Sequence, residues 1–157
     1  MLFRSRFRYS LETVLHYKNQ VLDNLKAEHA AAMERVNRKE EEIRSLEGRL
    51  GGFQKGFDAA KVKGAPIETF RLYDMCISGA EKQIDGEKER LALLQQRESE
   101  KKEQVLVARV DTSRYEKLKE RRLAEYHTAL GKEEERFAEE FITRSMVCTE
   151  RREERVR

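Results

Sequence analysis

The stretch that most constrains this chain is an interruption. Residues 48–66, "GRLGGFQKGFDAAKVKGAP", hold five of the eight glycines (Gly48, Gly51, Gly52, Gly56 and Gly64) and the only proline, Pro66. Each glycine inside a helix costs about 1 kcal/mol relative to alanine, so helical structure is weakest here. Gly64 suits the left-handed position that ends a helix, and Pro66 suits the first turn of the next. The pattern predicts helix one over about 5–59, a turn at about 60–66 and helix two over about 67–148. An arginine-rich tail at 149–157 completes a single coiled-coil domain, 1–157.

Apolar residues on both sides of the break recur at heptad spacing. Before it come Phe7, Leu11, Val14, Val21, Leu25, Ala32, Val36, Ile43, Leu46, Leu50, Phe53 and Phe57, with Lys18, Glu28 and Lys39 filling gaps. After it come Phe70, Tyr73, Ile77, Ala80, Ile84, Leu91, Leu94, Val105, Ala108, Thr112 and Tyr115, with Glu87, Glu98 and Lys101 filling theirs. A period of 3.5 residues is the mark of a coiled-coil seam. In the first series one extra step of four, near residues 28–36, reads as a stutter.

The two series can be laid against each other. In an antiparallel hairpin, facing positions share a constant sum of residue numbers. Phe57 with Phe70, Leu50 with Ile77, Val36 with Leu91 and Leu11 with Tyr115 each give 126 or 127. The same register sets Lys39 opposite Glu87, opposite charges at two polar seam positions that serve to fix register. The expected fold is therefore all-α: a long antiparallel two-helix coiled-coil hairpin whose second helix extends past the first. A parallel dimer through the same heptads is the alternative, and the break between matching arms favours a monomeric hairpin.

Composition narrows the function classes. Charged residues make up 40% of the chain, and the 33 basic and 30 acidic ones are interspersed. That pattern reads as solvated helix faces rather than the basic stripe of a nucleic-acid binder. No stretch reaches the 18 or so apolar residues that a membrane span needs, and no apolar segment follows the basic start as in a signal peptide. His16, His29 and His127 are isolated from one another and from Cys76 and Cys148, so neither a metal site nor a disulfide framework is expected. The run "GGFQKG" lacks phosphate-loop spacing, and acidic runs such as "KEEERFAEE" on a two-helix scaffold face water. The reading is no enzyme, no cofactor and no metal, in a cytoplasmic protein. His29 is expected in a seam position, and the two cysteines as small apolar fillers.

What remains is binding, and off-seam apolar residues show where. Leu72, Met75 and Cys76, with Gly79, flank the seam just after the turn. Tyr9, Leu15, Tyr17 and Leu22 lie off it at the open end, near Tyr126, Leu130, Phe137 and Phe141 of the overhang. Either partners cover these groups, or they widen the seam and dot the surface.

At the level of motifs, "FRYSLETVLHYK" resembles the start of the FliJ family, the chaperone and stalk component of flagellar type III export; the matching residues are Phe7, Leu11, Glu12, Val14, Leu15 and Lys18. "YEKLKERRLAEYHTALGKEEERFAEEF" at 115–141 and "FRLYDMCI" after the turn are similar to later stretches of that family. The resemblance implies a non-catalytic stalk in bacterial flagellum biogenesis that couples an export ATPase hexamer to the cytoplasmic region of the export gate membrane protein. It also implies association with export-substrate chaperones, and a place at the inner face of the cell membrane. By that likeness the ATPase contact would involve Phe7, Tyr9, Leu15, Tyr17, Leu22, Leu123, Tyr126, Leu130, Phe137 and Phe141. The gate contact would involve Phe70, Leu72, Tyr73, Met75, Cys76, Gly79 and Gln83. A homologous stalk of a virulence-type secretion system, a generic coiled-coil scaffold and a nucleic-acid-docking arm are the alternatives.

Overall fold

The computed structural model describes residues 6–154, with side chains through Cys148. Residue 5 and residues 155–157, where the expected helix start and the end of the tail fall, lie outside the described residues. Two long helices pack against each other: α1, Glu12–Lys63, and α2, Ile67–Glu154. No strand occurs among the described residues. α2 thus continues through the arginine-rich stretch as far as Glu154, beyond the expected end near 148. The chain divides into two compact units, residues 19–109 and residues 1–18 with 110–157.

In the 19–109 unit the helices are joined by a turn at Gly64–Pro66. Gly64 has φ +71°, the left-handed region that favours glycine. The amide of Ala65 donates to the carbonyl of Ala60 (3.1 Å), and that of Gly64 to the carbonyl of Lys61 (3.4 Å). This pair of bonds is the Schellman closure, which satisfies carbonyls that the helix end would otherwise leave open. Ala60 is itself buried. Pro66, with no amide proton to lose, precedes α2, and its carbonyl accepts from the Thr69 amide at 3.0 Å.

The buried residues of this unit are Leu22, Val36, Ile43 and Ala60 from α1 and Ile84 and Val105 from α2. Between them, Leu25, His29, Ala32 and Lys39 are half-buried. The seam therefore steps Leu22, Leu25, His29, Ala32, Val36, Lys39, Ile43 in strict alternation of three and four, with no stutter. The expected seam took Val21 where Leu22 belongs and included Glu28 beside His29, and of these two it is His29 that faces inward. With two adjacent apolar residues, only continuity of the alternation distinguishes which faces inward.

Polar seam positions in this unit are paired across the helices. Lys39 Nζ meets Glu87 Oε2 at 2.7 Å, as the register predicted, and also bonds Glu42 on its own helix. His29 Nε2 lies 2.6 Å from Glu98 Oε1, and Lys101 Nζ 2.5 Å from Glu28 Oε2. No buried side-chain polar atom among the described residues lacks a hydrogen-bond partner. Lys39 holds the Glu87 carboxyl below the ordinary carboxylate range. Bonds to Glu42 and then Glu87 hold the Lys39 ammonium above its ordinary value. Near the turn, Phe57 meets Phe70 edge-on with ring centroids 5.7 Å apart, and Tyr73 lies across the bare backbone of Gly56.

In the other unit, Leu15 and Thr112 are the buried pair. Leu15 takes the place expected of Val14, which is half-buried. Lys18 reaches Asp111 at 2.6 Å, with its ammonium 5.9 Å above the Tyr115 ring, and Lys119 pairs with Glu12 at 2.8 Å. Residues 6–11 are not helical, contrary to the expected start near residue 5. Phe7 consequently packs on Tyr126, ring centroids 5.6 Å apart, farther along α2 than the hairpin register sets it. Non-helical backbone spans more length per residue than the roughly 1.5 Å of a helix, which carries Phe7 farther along α2.

Candidate interaction surfaces

The first surface belongs to the 19–109 unit. Leu72 is 61% exposed and Met75 72%, and Gly79 and Gln83 continue the same outward line at steps of four. A Cβ at Gly79 would meet nothing, so backbone is open to close approach there. The neighbouring candidates divide differently. Phe70 and Tyr73 are half-buried and held by Phe57, and Cys76 is a half-buried free thiol beside the exposed line. The face on offer is thus Leu72, Met75, Gly79 and Gln83, with Cys76 at its edge. Off-seam Leu93 and Val107 are also exposed, at 60% and 65%, and were not anticipated.

The second surface belongs to the unit of 1–18 with 110–157. Beyond Gly131 every described side chain of α2 is exposed. Phe137, Phe141, Ile142 and Met146 stand 53–67% exposed. Leu130, Phe137 and Phe141 form one apolar line at heptad spacing, while Ile142 and Met146 continue a second line from Ala138, roughly a third of a turn or more around the helix. Ile142 and Met146 were missed in the sequence, although the steps of four from Ala138 would have found them. Nearer the start of α1, a cleft of about 540 Å³ is lined by Phe7, Tyr9, Arg6, Arg8, Arg122 and Tyr126, among others. Tyr9 donates its hydroxyl to the Tyr115 carbonyl at 3.1 Å, and Leu123 is at the margin of exposure. Tyr17 is 61% exposed.

Two expected surface residues are corrected by this packing. Leu15 and Leu22 are only 6% and 7% exposed because they are seam residues, and they leave no area for a partner. Among the described residues, no group of three or more His, Cys, Asp or Glu side chains is placed to hold a metal. No helix there is long and apolar enough to cross a membrane.

Two long helices packed along a heptad seam, with apolar side chains left on outward faces, define an α-helical coiled-coil protein. The flagellar FliJ protein family matches residues 7–148, from the lead-in segment to the exposed end of α2. The chain belongs to that family, and with it to flagellar protein export, as a member of a non-enzymatic part of the apparatus. Comparison with curated proteins and with solved structures returned no match.

Proposed function

We propose that the chain is a non-catalytic stalk of the flagellar export apparatus that links the export ATPase to the membrane export gate and also contacts export chaperones. Membership of the flagellar family favours this over the virulence-type alternative. The observation that carries the reading is the exposed apolar side chains on α2: Leu72 with Met75 in one unit, and Phe137 with Phe141 in the other, where Ile142 and Met146 are exposed on a neighbouring side of the helix. Neither set is needed by the seam, so each is free to bury against a partner. The later stripe, with Tyr126 and the lead-in aromatics, takes the ATPase; the Leu72–Gln83 line takes the cytoplasmic region of the gate. ATP hydrolysis belongs to the partner. The protein sits on the cytoplasmic side of the membrane at the flagellar base.

Leu72→Asp with Met75→Asp tests the gate half of this. The helical circular dichroism and the thermal midpoint stay within experimental error of wild type, because both side chains already stand in water. Swimming in soft agar and secretion of hook and filament proteins fall when the variant replaces the wild-type copy. Wild-type secretion by a stably folded, normally expressed variant removes the Leu72–Met75 face from the account.

A further inference from the structure

The turn between the helices carries an apolar point with no role in the fold. Val62 is 90% exposed and Ile67 59%, one on each side of Gly64. The Schellman closure draws its hydrophobic contact from the residue before the last helical turn and the residue after glycine, here Ala60 and Ala65. Val62 and Ile67 are left over, and both lie in the one stretch where polar residues would cost nothing. Around them in the sequence stand cations. Residues 55–71 carry four basic side chains (Lys55, Lys61, Lys63 and Arg71) and two acidic ones (Asp58 and Glu68), a local excess of two. Asp58 is answered by Lys61 at 3.4 Å, and that ammonium also lies 4.1 Å from the Phe57 ring centroid. Lys55, Lys63 and Arg71 have no ion-pair partner among the described residues.

We propose that this turn docks on an anionic lipid surface, Val62 and Ile67 entering the headgroup layer and Lys55, Lys63 and Arg71 meeting lipid phosphates. A peptide groove needs concavity, whereas a tight turn with two projecting aliphatic side chains is convex. Exposed aliphatic side chains interleaved with uncompensated cations are the combination that a negatively charged interface rewards, each part contributing a separate share of affinity. The inference goes beyond the export reading and stands without it, because neither the Leu72–Met75 face nor the end of α2 takes part.

The chain contains no tryptophan, so Val62→Trp makes a single reporter at the tip. The full chain is titrated with vesicles of phosphatidylcholine containing about a third phosphatidylglycerol, and with pure phosphatidylcholine vesicles. Emission shifts to the blue and rises with the anionic vesicles only, and the shift shrinks in high salt as surface charge is screened. In co-sedimentation, Val62→Ser with Ile67→Ser weakens binding about tenfold, and Lys63→Gln with Arg71→Gln about thirtyfold, both without loss of helicity. Failure of the wild-type chain to sediment with anionic vesicles overturns the proposal. So does equal sedimentation of wild type and Val62→Ser/Ile67→Ser, which would mean that basic surface elsewhere does the binding. A blue shift that needs an added export protein instead of lipid assigns the turn to a protein partner and overturns it as well.

Discussion

Gly56 and Tyr73 make the packing of the 19–109 unit testable by a single added methyl group. A Cβ at Gly56 would lie 2.8 Å from the Tyr73 hydroxyl oxygen and 2.9 Å from a ring carbon, closer than side chains approach. At Gly52, in the same helix, an added Cβ meets nothing within 4 Å. Gly→Ala inside a helix gains about 1 kcal/mol of intrinsic propensity at either site. At Gly52 that gain stands alone. At Gly56 it is opposed by displacement of a rigid ring in the seam, an overpacking cost of about 1–3 kcal/mol. The two variants should therefore differ by about 1–3 kcal/mol, Gly52→Ala above wild type and Gly56→Ala at or below it. With a urea slope of about 2 kcal/mol/M, the unfolding midpoints separate by about 0.5–1.5 M. Helical circular dichroism against urea is the assay. In a Tyr73→Leu background, Gly56→Ala should become stabilising. If Gly56→Ala alone raises the midpoint as far as Gly52→Ala does, the ring does not lie where this account has it.

Leu22→Ala should cost about 2–4 kcal/mol, as for other buried leucines, while Tyr17→Ala changes stability by less than about 0.5 kcal/mol; urea unfolding of both checks the seam assignment. The Lys39–Glu87 pair has a defined pH signature. Glu87 titrates lower in the folded chain than in the unfolded one, so its contribution is full above the ordinary glutamate value and disappears as pH falls through the lowered one. Lys39 titrates higher when folded, so its share persists up to the ordinary lysine value and is lost only as pH rises through the raised one. The stability difference between wild type and Glu87→Gln, measured by urea midpoints, should be flat near neutrality and shrink in acid; a constant difference down to about pH 2 would contradict the pairing.

How far these features could be read in advance depended on how many residues competed for one position. The turn was plain because Gly64 and Pro66 occupy the two places whose backbone demands those residues. The Lys39–Glu87 pairing followed from register alone, since their numbers sum to 126, as do those of Leu11 and Tyr115. Val14 with Leu15, and Val21 with Leu22, were ambiguous: each pair offers two adjacent apolar side chains, and hydrophobicity does not choose between them. Placing His29 in the seam decides it, because the alternation then passes through Leu22. His29 has a polar partner in Glu98, and their numbers sum to 127, the same register that pairs Val36 with Leu91. The lead-in misled for a different reason, since Phe7 falls at heptad spacing but reaches Tyr126 through backbone that is not helical. At the candidate surfaces, Leu72 and Met75 stood out because they lie clear of the seam. Ile142 and Met146 did not, because they follow Ala138 at steps of four, around the helix from the heptad line of Leu130, Phe137 and Phe141.

The central functional claim is that the exposed stripe of α2 is the ATPase contact. Its most direct test is the equilibrium affinity of the purified chain for the cognate flagellar export ATPase, beside that of Phe137→Asp with Phe141→Asp. The account predicts a wild-type dissociation constant of about 1 µM or tighter. The double variant should bind at least about tenfold more weakly with its helicity unchanged, since both rings already stand in water. Equal affinities, or no complex with the wild-type chain at tens of micromolar, would contradict it.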